Sequence, residues 1–264
     1  MNKVAPLKKF GQNFLVDNNI ILKIINEISP TMDDNFVEIG PGQGALTKHL
    51  IEKSKSLTAV EIDKRVIEDL TESYPALKII NQDILKINFA DLEATKESKI
   101  RVAGNIPYNI TSPIVFKLIE NRKFIKDAVL MVQYEVARRF VANKDTKDYG
   151  ILAVLLQYFA DVKFCFKVSP NVFFPKPKIN SAIVHFRFNK RDNVNLDEKQ
   201  FIKVVKAAFG NRRKTLKNSL SNSIFNTCNF ENSPVDLSKR AEQLTINDFI
   251  ILTQFLSEQI NVRS

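Results

Sequence analysis

Gly40-Pro41-Gly42-Gln43-Gly44 stands directly after a short β-prone run, Asn35–Ile39, and directly before a helical stretch, Ala45–Lys53. A glycine loop in that position brings backbone N–H groups up to an anionic or polar ligand at a helix N-terminus. It also commits the chain to strand-and-helix alternation, which continues with strand-like Leu57–Ile62, helix-like Lys64–Ser73 and strand-like Leu77–Ile80. Arg101–Gly104, Ala128–Gln133 and Ala182–Phe188 supply further strands, with helices at Ser112–Glu120 and Tyr149–Phe159. Strands separated by single helices predict parallel pairing in a doubly wound α/β sheet. After Phe188 the chain is polar from Asn189 to Asn195 and then reads as helix only, near Asp197–Phe209, Asn211–Phe225, Leu237–Gln243 and Thr245–Ile260. The expected organisation is therefore a larger α/β domain over 1–190 and a small all-α domain over 191–264.

Charge and composition narrow the function. The net charge is +10, and Lys163 to Lys217 carries a dense share of it. Such a stretch suits a polyanion, because each phosphate neutralised releases condensed counterions. The longest apolar run, Ile151–Leu156, is far short of the ~20 residues of a membrane span, which leaves a cytoplasmic protein as the expectation. Cys165 and Cys228 are the only cysteines and His49 and His185 the only histidines, so neither a disulfide scaffold nor a metal site is expected.

The glycine loop has acidic company. Glu38 precedes it; Glu61 ends the next strand, placed to accept from both ribose hydroxyls; Asp83 ends the third. Glycines and acids at successive strand ends describe an adenosine pocket, open at this point to a nicotinamide dinucleotide or to S-adenosylmethionine. The tetrapeptide Asn105-Ile106-Pro107-Tyr108 discriminates. It resembles the [DNS]-P-P-[YF] signature of amino-group methyltransferases, with Ile in place of the first Pro. The exocyclic N6 of adenine is a poor nucleophile, since its lone pair is delocalised into the ring. Catalysis therefore needs acceptors that orient the amino hydrogens, here the Asn105 side-chain oxygen and the Pro107 carbonyl, and Tyr108 offers a face for the base. The nicotinamide reading fails on glycine spacing and on the absence of a hydride-site constellation.

With these motifs in hand the chain resembles, over essentially its whole length, the KsgA (RsmA) family of small-subunit rRNA adenine N6,N6-dimethyltransferases. Lys8-Lys9-Phe10-Gly11-Gln12-Asn13-Phe14-Leu15 is similar to the family's K-x-x-G-Q-N-F-L element, and Glu38 to Thr47 to its glycine loop. The resemblance implies a Rossmann-like class I S-adenosylmethionine-dependent methyltransferase domain followed by a small C-terminal all-α domain. It implies a cofactor site of Gln12, Asn13, Leu15, Gly40, Gly42, Glu61, Ile62, Asp83, Ile84 and Asn105, with Asn105, Pro107 and Tyr108 as catalytic residues. Phe173 to Ser181 resembles the family's F-x-P-x-P-K-V-x-S loop, which implies that Phe173 lies beside the target base. The Erm enzymes, which methylate large-subunit rRNA, share fold and motifs; Phe209 to Leu220 and Arg240 to Leu244 resemble the KsgA pattern instead. The implied reaction dimethylates two adjacent adenosines in the 3′-terminal hairpin of small-subunit rRNA, on an immature 30S particle, by a monomeric enzyme.

Lys203, Lys206, Arg212, Arg213, Lys214 and Lys217 are the expected RNA contacts. A solvated helix face is the plain alternative, but Lys203 and Lys206 lie opposite the apolar Phe201, Val204, Val205 and Ala208, and Gly210 breaks the helix before the basic triplet. Arg138 and Arg139 stay open between an ion pair and an RNA contact. Cys165, in an apolar run, is expected to be buried, and the histidines are assigned no role. A non-catalytic assembly factor with a relic cofactor fold is the rival class; intact Glu61, Asp83, Asn105, Pro107 and Tyr108 argue against it.

Overall fold

The computed structural model describes residues 4–7, 10–92, 98–189 and 196–261. They form two compact units: Met1–Ala137 with Asp161–Asn189, and Arg138–Ala160 with Lys190–Ser264. The expected boundary at 190/191 lies outside the described residues. The segment 138–160, expected in the first domain, belongs instead to the helical unit. Its helix, Ile151–Phe159, is apolar on nearly every side and packs against the helices Glu198–Ala208 and Ile246–Asn261.

The chain runs β1 (Phe14–Leu15), α1 (Asn18–Ile28), β2 (Asn35–Ile39), α2 (Thr47–Glu52), β3 (Ser56–Glu61), α3 (Lys64–Ser73), β4 (Lys78–Asn81), β5 (Ile100–Asn105), α4 (Thr111–Glu120), β6 (Ile125–Gln133) and α5 (Tyr134–Phe140). Then follow α6 (Ile151–Phe159), β7 (Asp161–Val168), β8 (Phe173–Phe174), β9 (Ser181–Arg187), α7 (Glu198–Ala208), α8 (Leu216–Ser221) and α9 (Ile246–Asn261). Seven strands make the main sheet in the order β4-β3-β2-β5-β6-β9-β7. The first five pair in parallel, as the alternation predicts.

The expectation of parallel pairing throughout is corrected at one edge. Strand β9 is antiparallel to both β6 and β7, and it enters between them. Between β7 and β9 lie only the 3-10 turn Pro170–Val172 and the two-residue β8, with no α-helix to carry a crossover, so the chain returns antiparallel. Sequence order reverses between β2 and β5, and ligands of open α/β sheets bind outside the carboxyl ends at such a switch point. Gly104 permits the close approach there: a Cβ on it would lie 2.5 Å from the Ile39 carbonyl oxygen.

Local chemistry sets these elements. Asp17 caps α1 by accepting from Ile20 N–H, and Ile21, Ile24, Ile25 and Ile28 recur at helical spacing to bury one face against the sheet. At roughly 1.5–3 kcal/mol for each fully buried Ile, that stripe is a main support of the sheet's first half, before the entropy of ordering is set against it. Asp63 caps α3 by accepting from Arg65 N–H.

In the helical unit α7 packs against α6, α8 and α9. Tyr158, Phe159 and Phe201 cluster edge-to-face or tilted, and Phe209 stacks on Phe249 at 5.9 Å. Two expected helices are shorter than read. Asn211–Phe225 is helical only over Leu216–Ser221, because Thr215 caps the start and Asn222 ends it; Leu237–Gln243 contributes a single 3-10 turn, Ala241–Gln243. No helix of the described residues is long and apolar enough to cross a membrane.

Candidate active site

A cavity of about 250 Å³ opens at the carboxyl ends of β2, β3 and β5. Gln12, Asn13, Leu15, Gly40, Gly42, Glu61, Ile62, Asp83, Ile84, Asn105, Pro107 and Tyr108 all line it. Fragments more than 90 residues apart in sequence thus converge, and each is placed by a strand end or by the turn after it. Lys8 and Lys9 of the N-terminal motif lie outside the described residues.

Gly40, Gly42 and Gly44 have positive φ. At Gly42 the requirement is double, since φ is 54° and a Cβ would meet the Phe14 ring at 3.0 Å. Phe14, which also lines the cavity, was not singled out in the sequence; its signal is its place in the Gln12 to Leu15 motif. Glu61 Oε1 accepts from the N–H groups of Ile62 and Asp63, both at 2.9 Å. A carboxylate has about four acceptor sites, so Glu61 retains capacity for ribose hydroxyls. Burial pushes its pKa up, against the hydrogen bonds that favour the charged form. Asp83 Oδ1 accepts from Leu85 N–H at 2.9 Å.

Gln12 acts at one remove. Its Oε1 accepts from Leu7 N–H and its Nε2 donates to Asp63, while Arg65 grips Asp63 and donates to the Ala5 carbonyl. The side chain thereby ties the N-terminal segment to the turn after β3. Glu38 is 1% exposed and lines the cavity; Thr47 donates to it at 2.7 Å, and burial pushes its carboxyl up to about 7.

At the end of β5 Asn105 Nδ2 donates to the Asn13 carbonyl at 2.8 Å. A carbonyl only accepts, so this bond fixes the amide orientation and leaves Oδ1 as the acceptor. The acceptor role assigned to the Pro107 carbonyl is corrected, because that oxygen already takes Ile110 N–H at 3.2 Å and the Thr111 hydroxyl at 3.4 Å. Both of its lone pairs are engaged in starting α4. The neighbouring Ile106 carbonyl accepts no hydrogen bond among the described residues. Phe173 is corrected as well: it is 4% exposed, packs in the core with Leu15, and does not line the cavity. Its register partner across β1 is Leu15, whereas the 61% exposed Phe174 stands opposite Phe14.

Outside the cavity, Lys203, Lys206, Arg213, Lys214 and Lys217 are exposed. Arg212 is committed within its own unit, donating to Glu242 Oε2 at 3.2 Å and to the carbonyls of Lys147 and Tyr149. It staples the turn before α8 and is not a ready phosphate contact. Arg138, left open above, pairs with Asp148 at 3.0 Å, and Arg139 is exposed. Cys165 is half-buried, not buried, since β7 is an edge strand; burial still pushes its thiol to about 11. His185 has a structural place, between Glu27 and Asp127 at 2.8 and 3.1 Å.

The switch-point cavity, the glycine loop with Glu61, and an asparagine amide turned to accept together define an S-adenosylmethionine-dependent methyltransferase. Comparison with known proteins makes the class specific. The family of ribosomal RNA adenine dimethylases matches residues 6–258. The ribosomal RNA small subunit methyltransferase A of Prosthecochloris aestuarii is 45% identical over 250 residues, 95% of this chain and 94% of that one. Its counterpart from Francisella tularensis is 42% identical over 260 residues, 97% and 99% of the two chains. Among solved structures, a dimethyladenosine transferase from Plasmodium falciparum superposes with a TM-score of 0.77 at 28% identity, over 93% of this chain and 98% of that one. The 23S rRNA methyltransferase ErmE superposes at 0.66 and 26% identity, over 93% and 100%. The chain belongs to the ribosomal RNA adenine dimethylase family.

Proposed function

We propose that this enzyme dimethylates N6 of two adjacent adenosines in the 3′-terminal hairpin of 16S rRNA, on an immature 30S particle in the cytoplasm, and acts as a monomer. The observation that carries the chemistry is the orientation of Asn105, whose Nδ2 is taken by the Asn13 carbonyl so that Oδ1 can accept an N6 hydrogen. The choice of small-subunit RNA is supported by relatives of 42–45% identity that are named for it, against 26% for the large-subunit enzyme ErmE.

S-adenosylmethionine, when bound, supplies an electrophilic methyl group. Glu61 holds the ribose hydroxyls, Asp83 receives the adenine amino group of the cofactor, and the glycine loop lets the backbone approach. Asn105 Oδ1 and the Ile106 carbonyl orient the target amino hydrogens, which turns the N6 lone pair out of conjugation and toward the methyl group. Tyr108 supports the base from one side. Exposed Lys203, Lys206, Arg213, Lys214 and Lys217 meet phosphates of the particle.

The test is incubation with labelled S-adenosylmethionine and undermethylated 30S subunits, followed by RNA digestion. Dimethyladenosine confined to the 3′-terminal fragment of 16S rRNA is expected. Label in 23S rRNA from 50S precursors, with none in 16S, would move the chain to the large-subunit branch.

A further inference from the structure

Tyr108 Oη and Ser181 Oγ lie 2.6 Å apart, although 73 positions separate them in the chain. Ser181 is fully buried, at 0% exposure, and does not line the cavity, whereas Tyr108 does. The serine stands at the head of β9, paired with Gln133 of β6 on one side and Val168 of β7 on the other. Tyr134 N–H fixes the residue before it by donating to the Asn180 carbonyl at 3.0 Å. Tyr108 itself opens the 3-10 turn Tyr108–Ile110, which the Ile110 N–H to Pro107 carbonyl bond closes. Its ring is therefore tethered at the Cα end by the turn and at the hydroxyl end by the serine.

We propose that Ser181 is a positioning residue for methyl transfer: by holding the Tyr108 hydroxyl it fixes the plane of the ring against which the target adenine lies. A phenyl ring free to turn about its side-chain torsions can still offer apolar surface, but it does not define where the base sits. Methyl transfer to N6 depends on alignment, because the lone pair must meet the methyl group along one line, and small misplacements cost rate more than affinity. Dimethylation requires that alignment twice at one nitrogen, the second time with a methyl group already attached. The inference rests on the reading that Tyr108 faces the target base.

The experiment compares Ser181→Ala, Tyr108→Phe, the double variant and Tyr108→Ala. Single-turnover methylation of undermethylated 30S subunits is measured at saturating cofactor, with cofactor Kd and urea stability measured alongside. Ser181→Ala and Tyr108→Phe should each lower the rate about fivefold to tenfold, the scale of one hydrogen bond, with cofactor Kd and particle KM unchanged. The double variant should be no slower than either single one, since both remove the same tether. A structural role predicts otherwise. Each single variant leaves a hydroxyl without its partner, that of Ser181 fully buried, and the double variant restores a matched apolar pair and regains stability. Should its rate recover together with its stability, or should both single variants methylate normally while Tyr108→Ala is impaired, the positioning role is overturned. Normal methylation by Tyr108→Ala would instead remove Tyr108 from the base site, and Ser181 with it.

Discussion

Glu61 offers the sharpest separation of binding from folding, because its two oxygens do different work. Oε1 accepts from two consecutive backbone N–H groups at 2.9 Å, and the carboxylate's remaining acceptor capacity is what the ribose would use. Glu61→Gln keeps a carbonyl oxygen for Ile62 and Asp63 but puts an NH2 group where the second oxygen was. A hydrogen bond to a charged acceptor is worth about 1.5–3 kcal/mol, so cofactor Kd should rise roughly tenfold to 150-fold. Stability should hold or increase, since burial already disfavours the Glu61 carboxylate and the amide carries no charge to desolvate. Glu61→Ala is the contrast. It strands the buried Asp63 N–H, at about 1–3 kcal/mol, together with the more exposed Ile62 N–H, and should lose stability as well as affinity. Calorimetric titration with S-adenosylmethionine and with S-adenosylhomocysteine reads the first quantity and urea unfolding the second. Both nucleosides share the ribose, so Glu61→Gln should weaken them equally. A loss confined to S-adenosylmethionine would mean that Glu61 senses the sulfonium charge, and an unchanged Kd for both would refute the ribose contact.

Three further outcomes follow from the same geometry. Glu38, raised by burial from an ordinary 4.5 to about 7, binds its proton more tightly in the folded state. Its contribution to stability is therefore complete below about pH 4.5 and is lost as pH rises through 7, about 3 kcal/mol in all; Glu38→Gln should gain that much on wild type between pH 4.5 and pH 8 in urea unfolding. Gly42→Ala combines a φ of 54° with a Cβ pressed on Phe14, and calorimetry should show cofactor affinity down about tenfold or more, at about 1–2 kcal/mol for the backbone alone. Replacing Lys203, Lys214 and Lys217 by Gln should flatten the salt dependence of particle binding by roughly 0.7–0.9 log units per contact without moving stability, whereas Arg212→Ala should lower stability because it unties Glu242 and two carbonyls.

The sequence made the site's skeleton legible because the site is written in local motifs. Glycine spacing, an acid at the next strand end, and the tetrapeptide at Asn105 each lie within a few residues of the strand that positions them, so reading the strands placed the residues. What stayed hidden depends on partners distant in sequence. The Asn13 carbonyl that turns the Asn105 amide is 92 positions away, and nothing in Ser181 alone marks it as the partner of Tyr108. Phe173 and Phe174 show how little a motif says about faces. Adjacent residues of a strand point to opposite sides, and only the register with Phe14 and Leu15 decides which ring enters the core. Helix α1 and strand β7 are not legible in the sequence for a related reason. Asn18–Ile28 lies between the Gln12 to Leu15 motif and the glycine loop and carries no motif of its own, and Asp161–Val168 sets Lys163 and Lys167 among Phe164, Cys165 and Phe166, a stretch that reads as part of the basic surface until β9 is laid beside it. That 138–160 joins the helical unit is not visible in the sequence, because helical periodicity does not reveal which layer a helix will cover.

Charge is arranged oppositely at the two ends of the main sheet. At the amino end Arg101 is buried, bidentate on Asp127 at 2.9 and 2.8 Å, bonded to Asp34 at 2.8 Å and to the carbonyls of Ile28 and Ser29. Burial there pushes Asp34, Asp127 and Glu27 upward, but hydrogen bonds and charge from Arg101, His185 and Lys163 prevail and hold all three below the usual carboxylate range. At the carboxyl end Glu38 and Glu61 are buried with no cationic partner among the described residues, and both are raised. The first arrangement locks strands β5, β6 and β9 to the loop before β2, and removing Arg101 would take the buried cation from both Asp34 and Asp127, at about 3–5 kcal/mol. The second leaves carboxyls whose charged form is disfavoured until a ligand supplies donors. The same sheet is therefore rigid where its charges are paired and receptive where they are not, and the receptive end is the one at which the strand order reverses.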